Sequence, residues 1–154
     1  MAPLQRYALA LIAVLAVLGF GWPSLAQPLG TLRLELTDPA GGLRIINDGA
    51  GAATIQMAIA VQKQEASGWV PIVTEFNAVA RCDPPGPGTT VAIAPATALA
   101  VQAWRGFSCS GQCNFTCRAN IYYGPGTFRF VVTVLPASDR IASAAFVLPA
   151  EPLR

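Results

Sequence analysis

The residues best equipped for chemistry in this chain are its four cysteines, Cys82, Cys109, Cys113 and Cys117. The last three lie in Cys109-Ser-Gly-Gln-Cys113-Asn-Phe-Thr-Cys117, with three residues between neighbours. A thiolate can hold a metal, attack an electrophile or oxidise to a disulfide. Zinc sites space their ligands C-x₂₋₄-C, so a metal-thiolate carrier is one reading. No His is present to complete such a set. Iron–sulfur runs keep two residues between most ligands, and this spacing does not match them. An even cysteine count in an exported chain instead reads as structural disulfides. Cys82 then pairs within the cluster, and the other two close a small ring. Spacing leaves three pairings open, with Cys82–Cys109 or Cys82–Cys117 favoured as the long bridge. That bridge closes a loop worth about 3–4 kcal/mol of chain entropy. A paired thiol is not a nucleophile, which argues against a catalytic cysteine.

Other chemistry is sparse. Without His there is no Ser-His-Asp triad, and the commonest general base and metal ligand are both missing. Glu65, Glu75, Asp83 and Asp139 are scattered singly, so local spacing pairs no carboxylates for acid–base work. Gly86-Pro87-Gly88 follows Pro84-Pro85 and has no helix pattern after it, unlike a phosphate loop. Asn114-Phe115-Thr116 matches the glycosylation triplet, which is common by chance. Ten basic against eight acidic residues do not make a nucleic-acid binder. The expectation is a non-enzyme with no cofactor and no metal.

The address explains how the cysteines oxidise. Arg6 and the amino terminus precede Ala8–Phe20, a run with no polar side chain. Gly21, Pro23 and Ser24 break it, and Ser24-Leu25-Ala26 places small residues where signal peptidase reads them. Residues 1–26 are therefore expected to be a secretory signal, and 27–154 a single domain. Trp22-Pro23 cuts the apolar run too early for a membrane span of about 20 residues. The mature chain is expected to be secreted or periplasmic, with no membrane span. Its one Lys, its many Arg and its Ala and Gly excess suit a GC-rich bacterial genome.

The elements that must position the cysteines alternate with period two, as half-buried strands do. Leu32, Leu34 and Leu36 alternate with Arg33 and Glu35. Leu43–Ile46 follows, closed by Asn47-Asp48-Gly49. Ile55, Met57, Ile59 and Val61 predict one unbroken strand, and Trp69–Phe76 another. Arg81–Gly88 carries three prolines and is neither strand nor helix. Val91–Ile93, Leu99–Trp104, Ile121–Tyr123, Phe128–Val134 and Ile141–Leu148 complete the set. About seven to nine strands with turns between them predict an all-β, two-sheet antiparallel sandwich after the N-terminal signal helix.

Trp69 and Trp104 are expected in that sandwich's core, where aromatics supply the largest buried area. A second reading makes Trp104, Arg105 and Phe107, with Arg118, Tyr122 and Tyr123, a binding patch at the loop end. At 12% charged residues the chain has about half the usual density. Gln, Thr and Ala occupy strand positions where charges are usual, which leaves a weakly charged, partner-facing surface.

Three segments resemble the bacterial secreted immunoglobulin-like β-sandwiches. They are Ile45-Ile46-Asn47-Asp48-Gly49, Ile93-Ala94-Pro95 leading to Trp104, and Gly124-Pro125-Gly126-Thr127-Phe128-Arg129-Phe130. The chain departs from antibody domains, because its cysteines cluster in one loop rather than bridging two central strands. The resemblance implies a non-catalytic domain that binds another protein or an envelope component through disulfide-tied loops. Some such domains inhibit proteinases through loops at one end, which makes an inhibitor of an exported hydrolase the alternative.

The exported protein is expected to begin at Gln27, and amino-terminal sequencing checks this. Thiol titration in denaturant is expected to find no reactive cysteine before reduction and four after it. Four thiols before reduction would refute the disulfides.

Overall fold

The structure, a computed structural model, describes residues 32–39, 41–79, 88–109 and 120–152. The signal segment, Cys82, Cys113, Cys117, Asn114, Arg118 and most of the Pro-rich segment lie outside the described residues. The described residues form ten strands and no helix. They are β1 (Leu32–Asp38), β2 (Gly42–Asn47), β3 (Ala53–Gln56), β4 (Ala60–Glu65), β5 (Gly68–Ile72), β6 (Thr90–Ile93), β7 (Thr97–Val101), β8 (Gly126–Leu135), β9 (Asp139–Ala142) and β10 (Phe146–Leu148).

They build two antiparallel sheets around one core, a β-sandwich. The smaller sheet runs β1-β2-β7. The larger is organised on β8, which takes β3 and β4 along one edge and β9 and β10 along the other. β6 extends β3, and β5 extends β4. Ten strands therefore fill seven rows, three in one sheet and four in the other.

Two expected strands are each split, and the splits explain why there are ten strands rather than seven to nine. Between Ile55 and Ala60 the chain advances five residues while β8 advances three, from Val134 to Val131. The Met57 and Ile59 amides turn away from β8 and donate to Thr89 O and Phe76 O. A two-residue excess preserves side-chain parity, so Ile55, Met57, Ile59 and Val61 all stay buried. The second split, between β9 and β10, has a one-residue excess. Ala142 pairs with Val131, and Phe146 pairs with Phe128. One residue reverses parity, as a β-bulge does. Ile141 and Phe146 therefore both face the core, although five residues apart. Ser143 sits in this bulge. Its amide donates to Phe130 O, and its Oγ accepts the Phe130 amide at 3.0 Å. The hydroxyl replaces the carbonyl that the bulge turns aside.

The alternation expected on β1 and β8 is present. Leu32, Leu34 and Leu36 face inward, and so do Phe128, Phe130 and Val132. Trp104 is buried, as expected. Trp69 is not in the core. It pairs with Gln64 on the outer face of the larger sheet, half-buried, with the Arg129 guanidinium 4.4 Å above its ring. Arg129 is held there by a 2.8 Å bond to Gln62 Oε1. Stacking on a cation shields the indole without placing it between the sheets.

Asn47 closes the turn as its sequence context predicts, and it is also a buried polar lock at 0% exposure. Its Oδ1 accepts the Gly49 amide. Its Nδ2 donates to Gly51 O at 2.8 Å, to Ile93 O at 3.0 Å and to Ala94 O at 3.2 Å. One side chain thus closes the β2–β3 turn and anchors the end of β6. A buried carbonyl left without a donor costs about 1–3 kcal/mol.

Asn47→Ala and Ser143→Ala are each expected to lower the unfolding free energy by about 1–3 kcal/mol in urea titrations. Asn47→Asp is expected to be worse than Asn47→Ala at neutral pH, because a carboxylate would face three carbonyl oxygens. Acidification, which protonates that carboxyl, is expected to narrow the gap.

Candidate functional site

Cys109 and Asn120 are the described residues that border the cysteine-bearing segment 110–119. Its base is built as follows. β7 ends at Val101, and Trp104 then drops into the core at 1% exposure. Its ring meets Phe128 edge-on at 5.3 Å and Phe146 at 6.3 Å, and stacks with Tyr123 at 6.4 Å. Its amide donates to Gly41 O at 3.1 Å, and its indole Nε1 to Phe107 O. The chain reverses through Arg105 and Gly106, both with left-handed φ, of 56° and 86°. Gly106 is required here for two reasons. A left-handed φ strains an L residue, and a Cβ would lie 2.6 Å from Leu148 Cδ1 and 2.7 Å from Tyr122 Cε2.

The segments on either side, Gly106–Ser108 and Ile121–Tyr123, are clamped together. Phe107 and Tyr122 form a β-bridge, with ring centroids 5.2 Å apart. Tyr123 donates its amide to Gly106 O, and Ser108 donates its amide to Ile121 O at 2.8 Å. The Ser108 hydroxyl accepts the Ile121 amide at 2.9 Å. Glu75 joins through its amide to Ser108 O. Tyr123 Oη donates to Val73 O at 2.6 Å, and Tyr122 Oη to Pro149 O at 2.8 Å. Lys63, the chain's one lysine, donates to Tyr123 O at 3.2 Å and lies 5.6 Å over the Phe128 ring. Ile121–Tyr123 is thus a bridge partner rather than the strand expected.

Of the proposed patch, Trp104, Phe107, Tyr122 and Tyr123 come together with Arg105 at one end of the sandwich. Trp104 is sealed inside, Phe107 and the two tyrosines are half-buried in the clamp, and Arg105 is exposed. Arg118 lies outside the described residues. Cys109, at the clamp's edge, is 7% exposed and not a free cysteine. Two residues went unnoticed in the sequence: Val73 at 86% exposure and Ile121 at 53%. Single valines and isoleucines give no signal, because alternation assigns them to a core. Here the clamp's hydrogen bonds use their backbones and leave their side chains in solvent.

The electrostatics are mild. Burial raises the Tyr122 phenol above the ordinary tyrosine value. On the outer face of the smaller sheet, Asp48 at 2.7 Å and Glu35 at 3.3 Å hold the Arg33 guanidinium charged. That trio is exposed and adds little stability. An open groove of about 440 Å³ lies between residues 36–39 and 145–147, and Asp38 is its one carboxylate. No three potential metal ligands gather among the described residues. No described helix is long and apolar enough to cross a membrane. No family model, characterised protein or solved structure matches the chain.

Gly106→Ala is expected to lower the melting temperature more than Arg105→Ala, because only the former collides with Leu148 and Tyr122. For Tyr122, the folded state keeps its proton to higher pH than the unfolded chain does. Its contribution is full below the ordinary tyrosine range and is lost as pH rises through the raised folded value. Tyr122→Phe is therefore expected to melt slightly lower at neutral pH and to flatten the alkaline fall in melting temperature.

Proposed function

We propose that this protein is an exported, immunoglobulin-like, non-catalytic domain that binds another protein or an envelope component through the clamped loop between Cys109 and Asn120. The observation that carries the reading is the pairing of a fixed loop base with exposed apolar side chains beside it. Hydrogen bonds run from Glu75 through Ser108 to Ile121, so Val73 and Ile121 flank one clamp. A preorganised base spares the partner the entropy of ordering the loop ends. Exposed aliphatic groups next to it supply the apolar centre that a binding surface needs.

Disulfides among Cys82, Cys109, Cys113 and Cys117 complete this reading. They would tie the Pro-rich segment to the clamped loop and resist proteolysis outside the cell. The burial of Cys109 supports a structural rather than reactive thiol. The seven rows, three against four, are compatible with the immunoglobulin-like resemblance. The leader pattern of residues 1–26 supports a secreted or periplasmic location.

The test is affinity capture from the exported fraction with the mature chain and with Val73→Asp/Ile121→Asp. The doubly substituted chain is expected to fold with an unchanged melting temperature and to lose its partner. Retention of the partner would overturn the reading. Capture of a hydrolase inhibited in a one-to-one complex would instead assign the inhibitor function.

A further inference from the structure

Two neighbouring edge strands of the sandwich, β6 and β7, carry no charged residue. Between Gly88 and Trp104 there is no Asp, Glu, Lys or Arg, and this stretch contains β6, the β6–β7 turn and β7. Among the described residues β7 pairs with β2 alone, so its other edge has no strand partner among them. On an edge strand every second residue directs its N–H and C=O outward, which is a template for another strand. Thr97, Ala98 and Ala100 are exposed there, and Leu99 is half-buried.

The other long edges are guarded. β1 carries Arg33 and Glu35 and is bulged between Leu36 and Asp38. β5 has Pro71 at its fourth of five positions. β9 carries Arg140 and is separated from the three-residue β10 by the Ser143 bulge. Charge, proline and bulges are the devices that block edge pairing. β7 has none of them, and β6, the other uncharged edge strand, is only four residues long.

We propose that β7 is a self-association edge, pairing antiparallel with β7 of a second copy about a two-fold axis at Leu99. A two-fold axis there places Leu99 opposite Leu99, Ala98 opposite Ala100 and Thr97 opposite Val101. Every such pair is uncharged, so self-pairing brings no like charges together. Ala98 and Ala100 share the outer face with Arg44 and Ile46 of β2 and are small enough for close approach. Leu99 would gain apolar cover on its exposed half. The two three-stranded sheets would join into one of six strands. The contact is isologous, so it closes at the dimer instead of propagating. A charged peptide would find only Arg44 of β2 beside this edge, whereas a second β7 matches its run of uncharged residues pair for pair. This inference is independent of the clamped loop, which lies outside β7.

Sedimentation of the mature protein across the micromolar range tests it. The wild-type chain is expected to show a concentration-dependent monomer–dimer equilibrium. Ala98→Lys/Ala100→Lys puts Lys opposite Lys twice and is expected to weaken the dimer about tenfold or more. Ala98→Lys/Ala100→Glu puts Lys opposite Glu in this register and is expected to restore it. Ser67→Lys, in the β4–β5 turn, is expected to leave it unchanged. Circular dichroism confirms that each variant is folded. A wild-type chain that stays monomeric, or a double-Lys variant that still dimerises, overturns the proposal. So does failure of the Lys–Glu variant to recover, because that excludes the two-fold register. Loss of the partner in the Val73/Ile121 test leaves this result unaffected.

Discussion

Trp104 is the constraint on which the rest of the molecule depends. Its ring closes an aromatic cluster with Phe128, Phe130 and Phe146, and Phe76 stacks on Phe130 at 5.1 Å. Its backbone amide reaches Gly41, in the β1–β2 turn of the smaller sheet. Its indole N–H reaches Phe107, at the root of the cysteine-bearing segment. One residue therefore couples the smaller sheet, the larger sheet and the loop base. Burying such a side chain contributes several kcal/mol, and its polar N–H is satisfied where it is buried. The left-handed turn at Arg105 and Gly106 follows from it, because the chain must reverse at once to leave the core.

β8 plays the complementary part by setting register. It is the longest strand and touches four others, so each irregularity along its edges is measured against it. The two-residue excess beside β3 and β4 leaves the buried pattern intact. The one-residue excess beside β9 and β10 inverts it. Both interruptions have polar groups that complete their hydrogen bonds. Met57 and Ile59 are served by residues 76 and 89, and Phe130 by the Ser143 hydroxyl. A buried amide without a partner is too costly to leave in place.

The surface divides in the same economical way. The outer face of the smaller sheet holds the Arg33, Glu35 and Asp48 trio. The outer face of the larger sheet holds Trp69 beneath Arg129. β6, β7 and the turn between them hold no charged residue, and the clamped end exposes Val73 and Ile121.

Much of the architecture was legible in the order of residues. Alternation of Leu with charge on β1 and of Phe and Val on β8 is a local property, because successive side chains point to opposite faces of a strand. So is the turn chemistry of Asn47-Asp48-Gly49. The split strands were not legible, since the β9–β10 bulge inverts parity without altering composition. Nor was the place of Trp69, because its half-burial depends on Arg129, sixty residues away. The clamp was partly legible: Trp104, Phe107, Tyr122 and Tyr123 were singled out together, but as an open patch. The sequence by itself determined the all-β class, through short-range periodicity. Only tertiary structure decided that Asn47 is a core lock, that the aromatics seal an end, and that Val73 and Ile121 face solvent. Those outcomes depend on hydrogen bonds between residues far apart in the chain, and no local pattern encodes which distant carbonyl a side chain will meet.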